Sequence, residues 1–223
     1  SSTDKDSARI SNRIASLSSD RPITLVHWGS YKDFKDANAV NRGLELVDRF
    51  VHSLFSNRVN CKLLLKSGNP ARNLHCLEVY PERVALVTEY LGDEELQELF
   101  YTGDIYFLPS RQVHSTSLTD AFSYGMPVIG STGWGMSEYC FNALNSLTDE
   151  VGDPSRRLSE RMSIDTMYLE KMIPRITALI NSRDLLARMS ENTLAWYNSN
   201  HSRENHKANL HKIVDLAMSR HIK

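Results

Sequence analysis

Five short apolar runs alternate with helical patterns along this chain of 223 residues, and this alternation limits the possible folds more than any other feature. We predict strands at 23–28, 62–66, 84–88, 104–108 and 127–130. Between the first two runs, apolar residues recur every three or four positions from Val47 to Leu54, the pattern of a helix that lies on a sheet. Because parallel strands need long crossover connections, this order predicts an α/β fold with helices on both faces of a parallel sheet.

The remaining chain adds a leading segment and a helical end. Residues 1–21 are rich in serine and charge, and we interpret them as a linker or a leading helix. Residues 22–223 are interpreted as one Rossmann-like domain, in which 117–124 forms a helix after the fourth strand. An irregular excursion at 141–164 has room for one further strand. From Thr166 the pattern is helical to the end, with a kink expected at Pro174.

Composition excludes several classes of function. A net charge of −1 lacks the basic excess of a nucleic-acid-binding protein, so no nucleic acid is expected as a partner. The sequence shows neither a membrane-spanning run nor a secretory signal, and we expect a cytoplasmic protein. Three cysteines without paired spacing, Cys61, Cys76 and Cys140, favour reduced, buried thiols over disulfides or a zinc site. We expect neither a metal nor a cofactor.

The strongest site candidate is the polar loop after the fourth predicted strand. In open parallel sheets, ligands bind at the carboxyl ends of the strands, where loops and helix N-termini converge. The loop 109–116 runs directly into a helix, and the unpaired N–H groups of a helix start favour a phosphate or pyrophosphate. Arg111 could add a direct positive charge. No Walker loop and no G-x-G-x-x-G follows the first strand, which disfavours NTPases and nicotinamide dehydrogenases.

Other residues of this region have two interpretations each. Ser117 and Asp120 have the spacing of a capping box, or Asp120 accepts hydrogen bonds from a ribose. His114 is either structural or functional. Lys35 or Arg42, which follow the first strand, could stabilise charge on a departing phosphate. Three glycines within 130–135 indicate a tight turn or a close approach of backbone.

Two stretches of the sequence then carry a family resemblance. The stretches 104–110 and 120–129, followed by Gly135-Met136-Ser137-Glu138, resemble the donor-binding C-terminal half of GT-B retaining glycosyltransferases, the group that includes glycogen synthase-like enzymes. The resemblance covers about 23–218 and is strongest between 92 and 138. It implies a nucleotide-sugar donor as substrate and transfer of its sugar to a glycan or lipid-linked acceptor, as in polysaccharide biosynthesis.

The resemblance also implies roles for individual residues. The pyrophosphate would bind at Ser115, Thr116 and Ser117. Gln112 and Asp120 stand where the family has two glutamates, and they would face the sugar and the ribose; His114 would also face the sugar. Lys35 or Arg42 stands for the family's lysine, Ser30 stands where its arginine falls, and Tyr90 and Leu91 match its base-contacting loop.

The family's enzymes have two Rossmann-like domains, and this chain matches one of them. We therefore expect an excised fragment, inactive alone, whose partners include an N-terminal acceptor domain; peripheral membrane association of the parent protein stays open. A degenerate, non-catalytic scaffold or partner-binding domain is the alternative function, motivated by Gln112 and Ser30. An epimerase or phosphorylase on the same architecture is a third possible function. It is disfavoured because a phosphorylase needs a cofactor lysine in a recognisable setting, and this sequence has none.

Overall fold

The computed structural model describes residues 6–29, 43–67, 74–152, 155, 157–202, 205, 207–212 and 215. Lys35 and Arg42 therefore lie outside the described residues, as does Ser30. The described strands are β1 (Ile23–Trp28), β2 (Cys61–Lys66), β3 (Val84–Val87), β4 (Ile105–Leu108), β5 (Val128–Ser131) and β6 (Ser146–Asp149). They form one parallel sheet in the order β3-β2-β1-β4-β5-β6.

This sheet confirms the predicted fold class. All five predicted strands are present within one residue of their predicted bounds, and β6 is the further strand for which 141–164 had room. Every residue of β1 and of β4 is buried, which explains why both read as continuous apolar runs and not as alternating ones. The centre of the sheet therefore lies between two layers of helices.

Seven of the described α-helices surround the sheet. They are α1 (Ser7–Ala15), α2 (Leu44–Ser56), α3 (His75–Val79), α4 (Asp93–Thr102), α5 (Ser115–Ser123), α6 (Leu158–Asn181) and α7 (Arg183–Asn200). The apolar face of α2 packs on the sheet, where the rings of Phe50 and Phe107 lie 4.6 Å apart. On the other face, Trp28 stacks on Tyr106 with ring centroids 3.9 Å apart. The ring of Phe100 in α4 lies 4.5 Å from that of Trp28, so helices contact the centre of the sheet on both faces.

Two helix predictions need correction. The helix after β4 begins at Ser115, two residues earlier than predicted, and α6 begins at Leu158, eight residues before Thr166. Pro174 lies within the single helix α6, and the kink expected there stays a prediction. The short helix α3 has too few apolar positions to show a period. Its first turn is instead capped from α2, because the Asp48 carboxylate accepts hydrogen bonds from the backbone N–H groups of His75 and Cys76.

The leading segment packs as part of the core. Ile10, Ile14 and Leu17 are all buried, so α1 contributes to the core. Beside them, Asp104 is fully buried at the start of β4 and accepts hydrogen bonds from Arg21, Arg13 and the backbone N–H of Thr24. Burial lowers the pKa of the Arg13 guanidinium, against the opposing effect of the Asp104 charge. We call these groups the Asp104 network.

The three cysteines are unpaired and buried, as predicted. Burial raises the pKa of Cys61 and of Cys140 to about 12 and raises that of Cys76 further. These thiols are therefore structural groups with little thiolate at neutral pH. Among the described residues, no helix is both long enough and apolar enough to cross a membrane.

Candidate functional site

The strand order places a topological switch point between β1 and β4. The chain leaves β1 toward β2 on one side and later enters β4 on the other, so the loops that follow these two strands separate at their carboxyl ends. Gly43, which begins α2, has a φ of 72°, and a Cβ on it would lie 2.3 Å from the carbonyl oxygen of Pro109. Only glycine allows this close contact between the two loops.

The loop after β4 is held by the loop after β5. The fully buried Ser110 donates from its hydroxyl to the carbonyl of Gln112 at 2.6 Å. The Ser131 hydroxyl donates to the carbonyl of Ser110 and accepts from the backbone N–H of Gly133 at 3.1 Å. Both loops are therefore fixed by buried hydrogen bonds, which reduces the entropy that ligand binding would otherwise have to remove.

The same two loops extend the sheet by one bridge beyond its strands. Gln112 pairs with Trp134, and the backbone N–H of Val113 donates to the carbonyl of Trp134 at 2.8 Å. A Cβ on Gly133 would lie 2.6 Å from the carbonyl oxygen of Arg111, so this glycine is required by backbone contact. Gly135 has a φ of 77° and borders Val113. The glycine cluster signalled this close approach, but the sequence alone did not reveal Trp134.

Helix α5 begins directly beside this bridge. His114 is its N-cap, with a φ of −121°, and makes no side-chain capping hydrogen bond. Ser115 and Thr116 in the first turn are exposed, whereas Ser117 is buried. The positive end of the α5 dipole therefore opens to solvent at the carboxyl edge of the sheet, near the switch point.

The side chain of Arg111, which the sequence suggested as a positive charge for this helix start, contacts α6. Its Nη2 lies 2.7 Å from a carboxylate oxygen of Asp165 in α6, and its Nε donates to the carbonyl of Gly152 at 2.6 Å. The other oxygen of Asp165 accepts from the backbone N–H of Gly152 at 2.8 Å. Both charged side chains are nearly buried, so this guanidinium ties α6 to the loop and is committed to that ion pair.

The capping-box reading of Ser117 and Asp120 is also wrong. Because the helix begins at Ser115, Ser117 lies in its first turn and Asp120 in its second, where neither can cap. The described chain has one half of such a box at α4, where the carboxylate of Glu95 accepts from the backbone N–H of the N-cap residue Gly92 at 2.9 Å, and Gly92 has no side chain to return the contact. A ribose contact by the half-buried Asp120 stays a prediction.

The predicted base-contacting residues lie farther along the same edge. Tyr90 is 93% exposed and follows β3 together with the half-buried Leu91. Because β2 and β1 separate β3 from β4, three inter-strand spacings of about 4.8 Å place β3, which Tyr90 and Leu91 follow, about 14 Å from the strand that leads to α5. The structure thus brings together 112–117 and leaves these two residues apart from them. The roles of all these residues stay predictions.

Two of the described cavities, of about 400 and 350 Å³, lie at the opposite edge of the sheet. Arg83 lines both, and its guanidinium donates to the carbonyls of Val59 and Cys61 and lies 3.9 Å from the ring centre of Phe55. The guanidinium also donates to the carbonyl of Phe55 in the last turn of α2 at 3.3 Å, so Arg83 has a structural role beside both cavities. The described residues contain no cluster of three or more side chains suited to a metal ion.

Comparison with solved structures gives the same architecture. The chain is similar to the C-terminal domain of a glycosyl transferase group 1 family protein, LpcC, from Francisella tularensis, with a TM-score of 0.59 and 10% identity over 91% of this chain and 95% of that one. It is similar to sucrose-phosphate synthase from Thermosynechococcus elongatus, with a TM-score of 0.64 and 14% identity over 94% of this chain and 49% of that one.

A third similar structure is S. aureus TarM in complex with fondaparinux, α-GlcNAc-glycerol and UDP, with a TM-score of 0.63 and 14% identity over 87% of this chain and 35% of that one. No protein-family model and no curated protein sequence matches the chain. It thus spans nearly all of an isolated domain but half or less of the longer enzymes. At these identities the likeness concerns architecture, and the chain has the fold of the C-terminal half-domain of GT-B glycosyltransferases.

Proposed function

We propose that this chain is the donor-binding domain of a glycosyltransferase and that the start of α5 binds the diphosphate of a nucleotide sugar. One observation carries the proposal: an exposed helix start follows β4, next to the switch point of a six-stranded parallel sheet. Helix N-termini in this position bind phosphate groups through backbone N–H donors and the helix dipole. The fold shared with LpcC and TarM supports the same assignment.

Each site residue has a role in this proposal. The backbone at Ser115, Thr116 and Ser117 binds the diphosphate, and Asp120 binds the ribose. Gln112 and His114 face the sugar. Because Arg111 is committed to Asp165, the cation that stabilises the departing diphosphate is supplied by Lys35 or Arg42. The scheme assigns no step to a metal.

The spacing along the sheet edge fits an extended ligand. The residues that we assign to the base, Tyr90 and Leu91, follow β3, about 14 Å from β4 by the strand spacing. A nucleoside diphosphate is long enough to extend between these positions. The base would lie near β3, the diphosphate at α5 and the sugar near Gln112.

Calorimetry with UDP, GDP and ADP tests the proposal, and we expect one of them to bind below millimolar concentration. Ser115→Pro removes one N–H donor at the first helical position, where proline is tolerated, and should weaken nucleotide binding about tenfold. The matched control is Ser7→Pro, at the first position of α1, which should leave nucleotide affinity unchanged. If none of the three nucleotides binds at millimolar concentration, the proposal is wrong.

Sugar transfer needs more than this domain. We propose that catalysis, with retention of anomeric configuration and with a glycan or lipid-linked acceptor, takes place where this domain meets an acceptor-binding half. The chain spans 49% of sucrose-phosphate synthase and 35% of TarM, which supports this division. A transfer assay therefore has to use the parent protein or a reconstituted pair of halves.

The second candidate is a non-catalytic scaffold on the same fold, and the engagement of Arg111 by Asp165 favours it. That ion pair removes one charge from the loop that would bind the diphosphate. Asp120→Ala and Lys35→Ala in the parent protein separate the two candidates. Loss of sugar transfer supports the enzyme, whereas intact function with loss of a protein complex supports the scaffold.

A further inference from the structure

The proposed function does not explain why Trp134 is exposed. Its side chain is 82% exposed, although tryptophan usually contributes its large apolar area to a core or an interface. The other two tryptophans are used in packing: Trp28 stacks on Tyr106, and Trp196 lies 5.2 Å from the ring of Phe122. An exposed indole at the carboxyl edge of the sheet therefore needs its own explanation.

The backbone that carries this indole is held on both sides. The backbone N–H of Trp134 donates to the carbonyl of Arg111 at 3.2 Å, and its carbonyl accepts from the N–H of Val113 at 2.8 Å. Gly133 and Gly135 flank it, and a Cβ at either position would lie within 2.7 Å of the facing loop. The ring is thus presented from a fixed backbone, which lowers the entropy cost of a stacking contact.

The surroundings of Trp134 in the chain are polar. Its bridge partner Gln112 is exposed, and so are Thr132, Ser137 and Glu138. A surface that binds another protein usually has a continuous apolar patch of several hundred Å², and the residues next to Trp134 in the chain do not form one. A single aromatic ring among amide, hydroxyl and carboxylate groups suits a ligand that has one apolar face and a polar rim.

We propose that Trp134 is a stacking platform for the sugar ring of the donor, a pyranosyl group. This inference rests on the proposed function. A pyranose ring presents C–H groups on one face and hydroxyls around its edge, so the indole would contact the C–H face while the Gln112 amide binds edge hydroxyls. Gln112 lies two residues before His114, the N-cap of α5, so the platform is next to the proposed diphosphate site.

The test compares each nucleotide with its sugar conjugate in wild type, Trp134→Ala and Trp134→Phe, by calorimetry. The probe pairs are UDP with UDP-glucose and UDP-N-acetylglucosamine, GDP with GDP-mannose, and ADP with ADP-glucose. We expect Trp134→Ala to weaken binding of one nucleotide sugar about fivefold or more while its nucleotide binds within twofold of wild type. Trp134→Phe should recover most of the affinity.

Intrinsic fluorescence gives a second measurement on the same samples. The cognate nucleotide sugar should shift the emission of Trp134 to shorter wavelength, and its nucleotide alone should not. The proposal is overturned if Trp134→Ala binds nucleotide and nucleotide sugar as wild type does, the result expected of a protein-contact residue. It is also overturned if both ligands weaken equally. If wild type binds no nucleotide at all, the proposed function and this inference fail together.

Discussion

The two edges of the sheet differ in how they use polar groups. At the amino edge, the Asp104 network buries a carboxylate among two guanidinium groups and a backbone N–H, and α1 covers it. At the carboxyl edge, the loops after β4 and β5 are joined through backbone groups and serine hydroxyls, while Gln112, Thr116 and Trp134 stay exposed.

This difference separates stability from binding. Charges that are buried and mutually paired at the amino edge cannot meet a ligand without loss of the fold. At the carboxyl edge the backbone, the serine hydroxyls and the ion pair of Arg111 with Asp165 provide the rigidity, so the exposed side chains and the start of α5 keep their hydrogen-bonding capacity for a substrate. The comparison predicts that substitutions at the two edges affect different measurements.

The largest effect should come from the Asp104 network. Asp104→Ala leaves the buried Arg13 without its carboxylate, and we expect a loss of about 3–5 kcal/mol in the free energy of unfolding. Urea unfolding followed by circular dichroism measures this loss as a lower midpoint. The matched control is Glu98→Ala, which breaks the exposed ion pair with Arg9 and should leave the midpoint close to that of wild type. Equal effects of the two substitutions would contradict the structural role assigned to Asp104.

The next effect concerns the contact between the two loops at the carboxyl edge. Gly133→Ala places a Cβ 2.6 Å from the Arg111 carbonyl, so the loops must separate, at a cost of about 1–3 kcal/mol. We expect weaker nucleotide binding as well, measured by calorimetry beside urea unfolding. Gly92→Ala is the control, since the nearest atom to its Cβ is the Glu95 carboxylate at 3.7 Å. A Gly133→Ala protein with wild-type stability and affinity would show that this contact is unimportant.

The smallest effect is a pH dependence at the start of β2. Burial raises the pKa of Cys61 to about 12 from an ordinary value of 9.0, so the folded state favours the neutral thiol. Its contribution to stability is complete below about pH 8 and is lost as the pH rises from 9 toward 12, because the unfolded chain ionises first. Between pH 9 and 10, wild type should lose about 1 kcal/mol more than Cys61→Ala, as measured by urea unfolding at each pH. Parallel curves for the two proteins would contradict the assigned pKa.

The sequence predicted the fold well because its sheet is buried on both faces. β1 and β4 are continuous apolar runs with sharp ends, so their bounds were almost correct. The predictions for helix starts were worse. The first turn of α5 consists of Ser115, Thr116 and Ser117, which have no apolar period, so the expected helix began two residues late.

The site was only partly predictable for a physical reason. The loop after β4 could be chosen because the strand order fixes which edge of a parallel sheet carries ligands. The ion-pair partner of Arg111 could not be predicted, since Asp165 lies 54 residues later in the sequence. No local pattern shows that the helix carrying Asp165 packs against this loop. Trp134 was likewise missed, because its importance depends on a bridge between two separate loops.

The packing of α1 also has a practical consequence for anyone who shortens this chain. A protein trimmed to begin at Pro22 would lose Arg13 and Arg21 and leave the carboxylate of Asp104 buried without a counter-charge. It would also uncover the apolar side of α7 around Leu194, which Ile14 borders in the intact fold. Such a truncation should give an insoluble product, so the smallest piece suitable for crystals or ligand screens has to keep the residues from Asp6 onward.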